Sequence, residues 1–249
     1  QGVAEAQFHL GLMYDKGQGV PQNYDQAFKW YQRAAKQGYG SRGANIYQIA
    51  KKGVAAALNV LTDDAQQGVV EAQLILGKMY EAGHQFPQDT DQAFKWYQRA
   101  AEQDSAQAKS HIYEIAKKGS SQALKILNDD AKLGVVEAQV ILGKMYEEGH
   151  PFPQDYNEAF KWYQQAAEQG TAQAKSHIYG IAKKGSSQAL KILTADAEQG
   201  VVEAQFRLGK MYEEGRSFSQ DFEQAFKWYQ RTAEQGTAQA KSHIYGIAK

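Results

Sequence analysis

The sequence predicts an all-α fold built from tandem helical hairpins, and three observations carry that prediction. One segment recurs every 66 residues: DQAFKWYQRAA from Asp25, the same string from Asp91, NEAFKWYQQAA from Asn157 and EQAFKWYQRTA from Glu223, with tryptophans at 30, 96, 162 and 228. Apolar residues fall at helical spacing, and no segment alternates with period two. Only four prolines interrupt a chain rich in Ala, Gln, Glu and Lys, all good helix formers except at its turns. A fixed period of this length marks a repeat array. Stacked repeats present a long, continuous surface rather than one closed pocket, so the sequence points to holding other molecules.

Residues 68–133 give the elements of one period in order. VVEAQLILGKMYEAG (69–83) places Ala72, Leu76, Met79 and Tyr80 on one helix face, and Gly83 is a stop. HQFPQDT reads as a loop. Asp91 is placed to cap the next helix, whose apolar face is Ala93, Phe94, Trp96, Tyr97, Ala100 and Ala101. SAQAKSHIYEIAKKG (105–119) follows, with Ala108, Ile112, Ile115 and Ala116 on its face. SSQALKILNDDAKLG (120–134) closes the period, capped by Ser120 or Ser121 and facing inward through Ala123, Leu124, Leu127 and Ala131. Aligning Gly83 with Gly119 shows the second hairpin to be the first with about six loop residues removed and its aromatics exchanged for aliphatics.

The period is thus a 36-residue hairpin followed by a 30-residue one. The array runs long (1–37), short (38–67), long (68–103), short (104–133), long (134–169), short (170–199), long (200–235), with a partial hairpin at 236–249. That last helix is expected to leave Ala240, Ile244, Ile247 and Ala248 uncovered, and self-association through the array ends is expected on that ground. No polar capping repeat is evident, so the chain reads as a piece of a longer array. Residues 104–169 and 170–235 differ at 17 of 66 positions, which fits recent duplication or a consensus design.

Composition bounds the function. Lysines plus arginines number 28 and so do the acids, a balance that gives no pull toward nucleic acid or anionic membrane. No apolar run approaches the ~18 residues needed to span a bilayer, so no membrane insertion is expected. The chain opens at Gln1 with no signal-peptide pattern, and both secreted or periplasmic and cytoplasmic placements stay open. Without cysteine there is no thiolate nucleophile or cysteine–zinc site.

The long hairpin resembles the Sel-1-like repeat, a branch of the tetratricopeptide superfamily. The matching residues are Ala4, Ala6, Gln7, Leu10, Gly11, Tyr14, Gly17, Ala27, Trp30, Tyr31, Ala34, Ala35 and Gly38, with the same pattern recurring from Ala72, Ala138 and Ala204. The short hairpins match less well, since Tyr113 and Tyr179 stand where the long one has Gly77. The resemblance implies a right-handed α-α superhelix, a solenoid, used as a protein-interaction scaffold and frequent in bacteria. The motif residues have structural reasons: Gly77 lets two helices approach, and Trp96 with Tyr97 fills the gap between hairpins as core.

Candidate chemistry is sparse. His111, His177 and His243 recur at 66 residues, and copies on successive periods stand roughly 20 Å apart if hairpins stack about 10 Å each, so they cannot share an ion. Neither a metal site nor any other cofactor is expected. No GxSxG, GxGxxG or P-loop occurs, and the glutamates follow the period, whereas a catalytic pair would break it. The pairs Lys51–Lys52, Lys117–Lys118 and Lys183–Lys184 end short first helices, where they complement the macrodipole or touch a ligand.

The resemblance also implies that first helices line the concave face. That maps a partner-binding set: Glu71, Leu74, Lys78 and Glu81; Glu137, Val140, Lys144 and Glu147; Glu203, Phe206, Lys210 and Glu213 in the long hairpins. In the short hairpins it maps Gln107, Ser110, Glu114, Lys117 and Lys118, then Gln173, Ser176, Gly180, Lys183 and Lys184. Acid at the ends of long first helices and base at the ends of short ones gives alternating charge stripes suited to a polypeptide of mixed charge. The expected function is a non-catalytic scaffold binding a protein or peptide. A cell-envelope protein binding or turning over wall glycan or a β-lactam, and a purely structural or designed array, are the alternatives.

Overall fold

The structure, a computed structural model, describes residues 2–39 and 43–247. Fifteen helices and no strand occur among the described residues: α1 (Gly2–Lys16), α2 (Tyr24–Lys36), α3 (Ala44–Lys51), α4 (Ala55–Gln66), α5 (Val70–Ala82), α6 (Thr90–Ala101), α7 (Ala106–Lys117), α8 (Ser121–Lys132), α9 (Val136–Glu148), α10 (Tyr156–Glu168), α11 (Ala172–Lys183), α12 (Ser187–Glu198), α13 (Val202–Glu214), α14 (Phe222–Glu234) and α15 (Ala238–Ile247). The chain forms two compact units, residues 1–115 and 116–249, dividing within α7. No helix of the described residues is long and apolar enough to cross a membrane.

In the first unit α1 packs on α2, α3 on α4 and α5 on α6, and each helix from α1 to α5 also meets the next in sequence. The long hairpin's turn is a built piece. Gly83 ends α5 in the left-handed region (φ 71), where a Cβ would be strained. Gln88 Nε2 then donates to the Glu81 carbonyl (2.9 Å), one of the acceptors a helix end leaves open, and Phe86 stacks on Tyr80 at 4.6 Å. The N-cap of α6 is Asp89, whose side chain accepts from Gln92 N–H (2.9 Å), rather than Asp91 as the sequence suggested. The backbone bond from Asp89 N–H to the Tyr80 carbonyl (3.0 Å) fixes the loop so that the helix starts two residues earlier. In the short hairpins Ser120 and Ser186 occupy the N-cap positions, and only Ser186 accepts a cap bond.

The helix-to-helix fit of the long hairpin is a glycine–tyrosine key. A Cβ on Gly77 would stand 2.5 Å from the Tyr97 ring, and on Gly143 2.5 Å from the Tyr163 ring, so the missing side chain is what admits the aromatic. These tyrosines are fully buried. The tryptophans, expected in the core, are only half-buried. Trp96 packs one side on the core of the preceding hairpins while the Arg99 guanidinium lies over its ring at 4.9 Å, and Arg33 and Arg231 cover Trp30 and Trp228 likewise. Adjacent residues of a helix point about 100° apart, so Trp96 and Tyr97 cannot both face α5. The short hairpins reverse the key: Tyr47 and Tyr179, on first helices, are buried where the long hairpin has glycine, and Leu61 and Leu193 stand buried at the tyrosine's place on the second.

The second unit repeats the plan. Buried Gln139 donates to the Ala131 carbonyl (3.1 Å) and accepts from Gln169 (2.9 Å), and Gln205 does the same with Ala197 and Gln235. The motif glutamine therefore joins a long first helix to the C-terminal end of the helix before it. Packing changes at the last long hairpin. Phe28, Phe94 and Phe160 are 5–7% exposed, whereas Phe226 is 40% exposed, since no second helix of a short hairpin lies over it among the described residues. Helix α15 packs on α14 through buried Ala240, with Ile244 partly covered. The expected uncovered face is thus partly covered; Ile247's side chain and Ala248 lie outside what is described.

Candidate functional site

The acids at the ends of the long first helices do not stand free. Tyr97 Oη donates to Glu81 Oε2 (2.9 Å) and Tyr163 Oη to Glu147 Oε2 (2.6 Å); Tyr229 makes the same bond to Glu213, and Tyr31 a longer one to Asp15 (3.3 Å). The physical reason is the buried ring. A hydroxyl taken out of water must find an acceptor, and the residue four positions after the admitting glycine is one turn further along the same helix face. Burial first, then the bond to Glu147, pushes the Tyr163 hydroxyl far above its ordinary value. Burial alone would raise Glu147, but hydrogen bonds from His177, Tyr163 and Lys184 outweigh it and hold this carboxyl at about 2. Short hairpins make the bond the other way, Tyr47 donating to Asp64 (2.8 Å) and Tyr179 to Asp196 on the second helix.

Each recurring histidine completes one of these clamps. His111 stacks on Tyr97 at 4.5 Å and 5°, with Nδ1 3.6 Å from Glu81, and His177 stacks on Tyr163 at 4.8 Å, 3.7 Å from Glu147. His243 lies tilted on Tyr229, 3.1 Å from Glu213. Their period reflects a joint between a long hairpin and the short one that follows. Burial is the main cause that lowers His111 below its ordinary range.

The lysine pairs split by direction. Lys184 reaches back to Glu147 (3.0 Å), and Lys183 reaches forward to Glu214 (2.8 Å), which also meets Arg216 (3.0 Å) and Lys210 (3.7 Å). The charge stripes read from the sequence therefore neutralise each other in part between successive hairpins. Of the remaining mapped positions, Glu71, Gln107, Glu114, Lys118, Glu137, Gln173 and Glu203 are exposed, while Lys78, Ser110, Lys117, Lys144, Ser176 and Gly180 are part-exposed.

What the acids vacate, the lysines line. Between α3 and α5 a cavity of about 350 Å³ is walled by Lys51, Lys78, Met79, Ala82 and His84. Between α11 and α13 one of about 300 Å³ is walled by Tyr179, Lys183, Glu203, Phe206, Arg207, Lys210 and Met211. Lys51, Lys78 and Met79 occupy the positions of Lys183, Lys210 and Met211 two periods earlier, so a groove of the same kind between successive first helices is present in each unit. The loop ahead closes one end: Gln85 Nε2 donates to the Lys51 carbonyl (3.3 Å) and Ser217 Oγ to the Ala182 carbonyl (3.1 Å).

Arg207 is the residue the sequence reading passed over. It stands where the two preceding copies have Ile75 and Ile141, a break in the repeat that could have flagged it. Its guanidinium bonds Glu203 (2.8 Å) and donates to Ser176 Oγ (2.9 Å), tying α13 to α11. The Glu–Tyr–His clamps were equally unread, because their members lie 16 and 30 residues apart and meet only once the hairpins stack.

Comparison with known proteins follows the hairpins. The family model described as Sel1 repeat matches residues 4–39, 70–105, 136–171 and 202–237, which are the four long hairpins. A chitin synthase regulator of Saccharomyces cerevisiae is 26% identical over 263 aligned positions, 94% of this chain, and chitin synthase regulatory factor 3 of Schizosaccharomyces pombe is 27% identical over 71% of it. The chain spans only 38% and 21% of those two proteins. Among solved structures, a protective antigen of uropathogenic Escherichia coli with an SLR fold is 30% identical, with TM-score 0.49, 99% of this chain and 57% of that one aligned. A Sel1 repeat protein from Oxalobacter formigenes is 26% identical, with TM-score 0.48, covering 99% and 76%.

Proposed function

The chain belongs to the Sel1 repeat family, and on that premise we propose that it is a non-catalytic interaction scaffold whose first-helix face holds a polypeptide segment. One observation carries the reading: the groove between successive first helices recurs in each unit, with an apolar methionine floor and lysines on both walls. Apolar floor with charged rim is the composition of a recognition surface. The contact set is the mapped first-helix positions, led by Lys78, Lys144, Lys210, Lys183, Glu71, Glu137 and Glu203. Glu81, Glu147 and Glu213 serve the face indirectly, by fixing the tyrosines beneath it. The polar clusters support a structural role, since the same Glu–Tyr–His group recurs three times among the described residues with the same tyrosine-to-glutamate bond, and its tyrosines are held neutral, able to donate but not to act as bases.

The test is a photo-crosslinking amino acid placed at Lys78 and Lys210 on first helices, and at Lys95 and Lys161 on second helices. A partner from the native cell should be trapped from the first pair and not from the second. Trapping only from Lys95 and Lys161 would refute the reading. The names of the two fungal relatives favour a particular form of it, in which the held protein is an enzyme whose activity the scaffold regulates. Co-purification of a polysaccharide synthase whose activity changes on addition of this chain would support that form, and a synthase indifferent to it would not.

A further inference from the structure

We propose that the two first-helix grooves take an acidic segment carrying an apolar side chain, an inference that rests on the scaffold reading and names its ligand. The chain as a whole is neutral, with 28 basic and 28 acidic residues, so the sequence suggests no preference of sign. Folding creates one. In the first unit Glu81 is turned to Tyr97 and His111, while Lys51 and Lys78 line the groove with no ion-pair partner among the described residues. Its floor is Met79 and Ala82, and no carboxylate lines it. In the second unit Glu213 is likewise turned to Tyr229 and His243. Lys183, Arg207 and Lys210 line that groove against one lining carboxylate, Glu203, over Phe206 and Met211.

Helix dipoles account for only part of this. A macrodipole favours cations within the last turn, which covers Lys51 and Lys183. Lys78 and Lys210 lie four residues before the ends of α5 and α13. Arg207 lies further in still, replacing an isoleucine of the repeat. Two lysines facing each other across a groove repel unless something negative lies between them. In the second unit Glu214, which reaches both Lys183 and Lys210, answers that need from the chain itself; in the first, alanine stands at its place, Ala82, and the need is open. An extended peptide meets both demands of the first groove, with carboxylates on the rim and an apolar side chain on the methionine floor, and in the second it competes with Glu203 and Glu214 for the same three cations.

The test uses the full chain and a fluorescein-labelled octapeptide, Asp-Glu-Asp-Leu-Leu-Asp-Glu-Asp, read by fluorescence anisotropy at low salt. Its controls are the same peptide with lysine for every acid, and with serine for both leucines. The acidic form should bind about tenfold more tightly than the basic form and than the serine form, and salt should weaken it. Lys51→Glu with Lys78→Glu breaks no ion pair among the described residues, while Arg207→Ile gives up the partly exposed pair with Glu203 and installs the residue of two other copies, Ile75 and Ile141, so the combined variant should stay helical and melt cooperatively at a modestly lower temperature. It should lose about tenfold or more in affinity for the acidic peptide. Equal binding of the acidic and basic peptides, no binding of either, or a folded triple variant that binds as the parent does would overturn the proposal. If crosslinks still form from Lys78 and Lys210 in that event, the scaffold reading stands and only its ligand chemistry falls.

Discussion

Replacing Gly143 with alanine adds one methyl group and should unseat a buried aromatic. The new Cβ would lie 2.5 Å from Tyr163 Cε1 and 2.6 Å from Cδ1, about 0.9 Å short of the 3.4 Å at which ordinary contact begins. The ring cannot step aside freely, because it is fully buried, stacked on His177 and bonded through its hydroxyl to Glu147. Overpacking of this kind costs about 1–3 kcal/mol. A weakened bond to a carboxylate adds about 1–2 kcal/mol. Against these stands about 1 kcal/mol gained when alanine replaces glycine inside a helix. The expected net is a loss of about 2–3 kcal/mol. Gly180, in α11, is the internal control: nothing lies within 4 Å of a Cβ there, so Gly180→Ala should gain up to about 1 kcal/mol. Amide hydrogen exchange over residues 136–168 and urea unfolding read both, the first because repeat arrays open locally. In a Tyr163→Leu background the cost of Gly143→Ala should vanish, as expected for residues in direct contact. A cost that persists there, or two glycine replacements of the same sign, would refute the key-and-slot account of the hairpin.

Glu147→Gln should flatten the acid limb of the stability curve. The folded carboxyl sits at about 2, below its ordinary 4.5, so its contribution is complete above about 4.5 and drains as the pH falls toward 2. The parent should therefore lose melting temperature across that window faster than the variant, and parallel curves would remove Glu147 from the account. Tyr97→Ala should cost about 3–5 kcal/mol, as a filled core site does, while Trp96→Ala, half-exposed under Arg99, should cost well under that; chemical denaturation of the two variants decides, and the reverse order would return the tryptophan to the core. Lys184→Glu should destabilise by no more than about 1 kcal/mol by loss of the partly exposed pair with Glu147, plus a modest repulsion, and a collapse of the fold would show the pair to be a larger determinant than its exposure suggests.

The sequence by itself determined the helices, their pairing into long and short hairpins and the family, because each of these is written in local spacing: a 66-residue period, apolar positions every three or four residues, and stops such as Gly83. It also placed the first-helix glutamates, with Lys78, Lys117, Lys144, Lys183 and Lys210, on their elements, while Lys118 and Lys184 fall just past the ends of α7 and α11. It misjudged the neighbours Trp96 and Tyr97, since composition ranks the larger ring as the core residue, while only the direction of the slot opened by Gly77 decides which ring enters. Charge was misread for the same reason. Glu81 and Lys78 lie one turn apart on α5 and look equally available in the sequence. Once Tyr97 is buried its hydroxyl must be satisfied, and Glu81 is the acceptor in reach, so the acid turns toward the joint and the lysine is left at the groove. Tertiary structure alone made that division, because a buried donor claims the nearest acceptor at a cost of about 1–3 kcal/mol if refused, more than an exposed charge gains by remaining in water beside its neighbours.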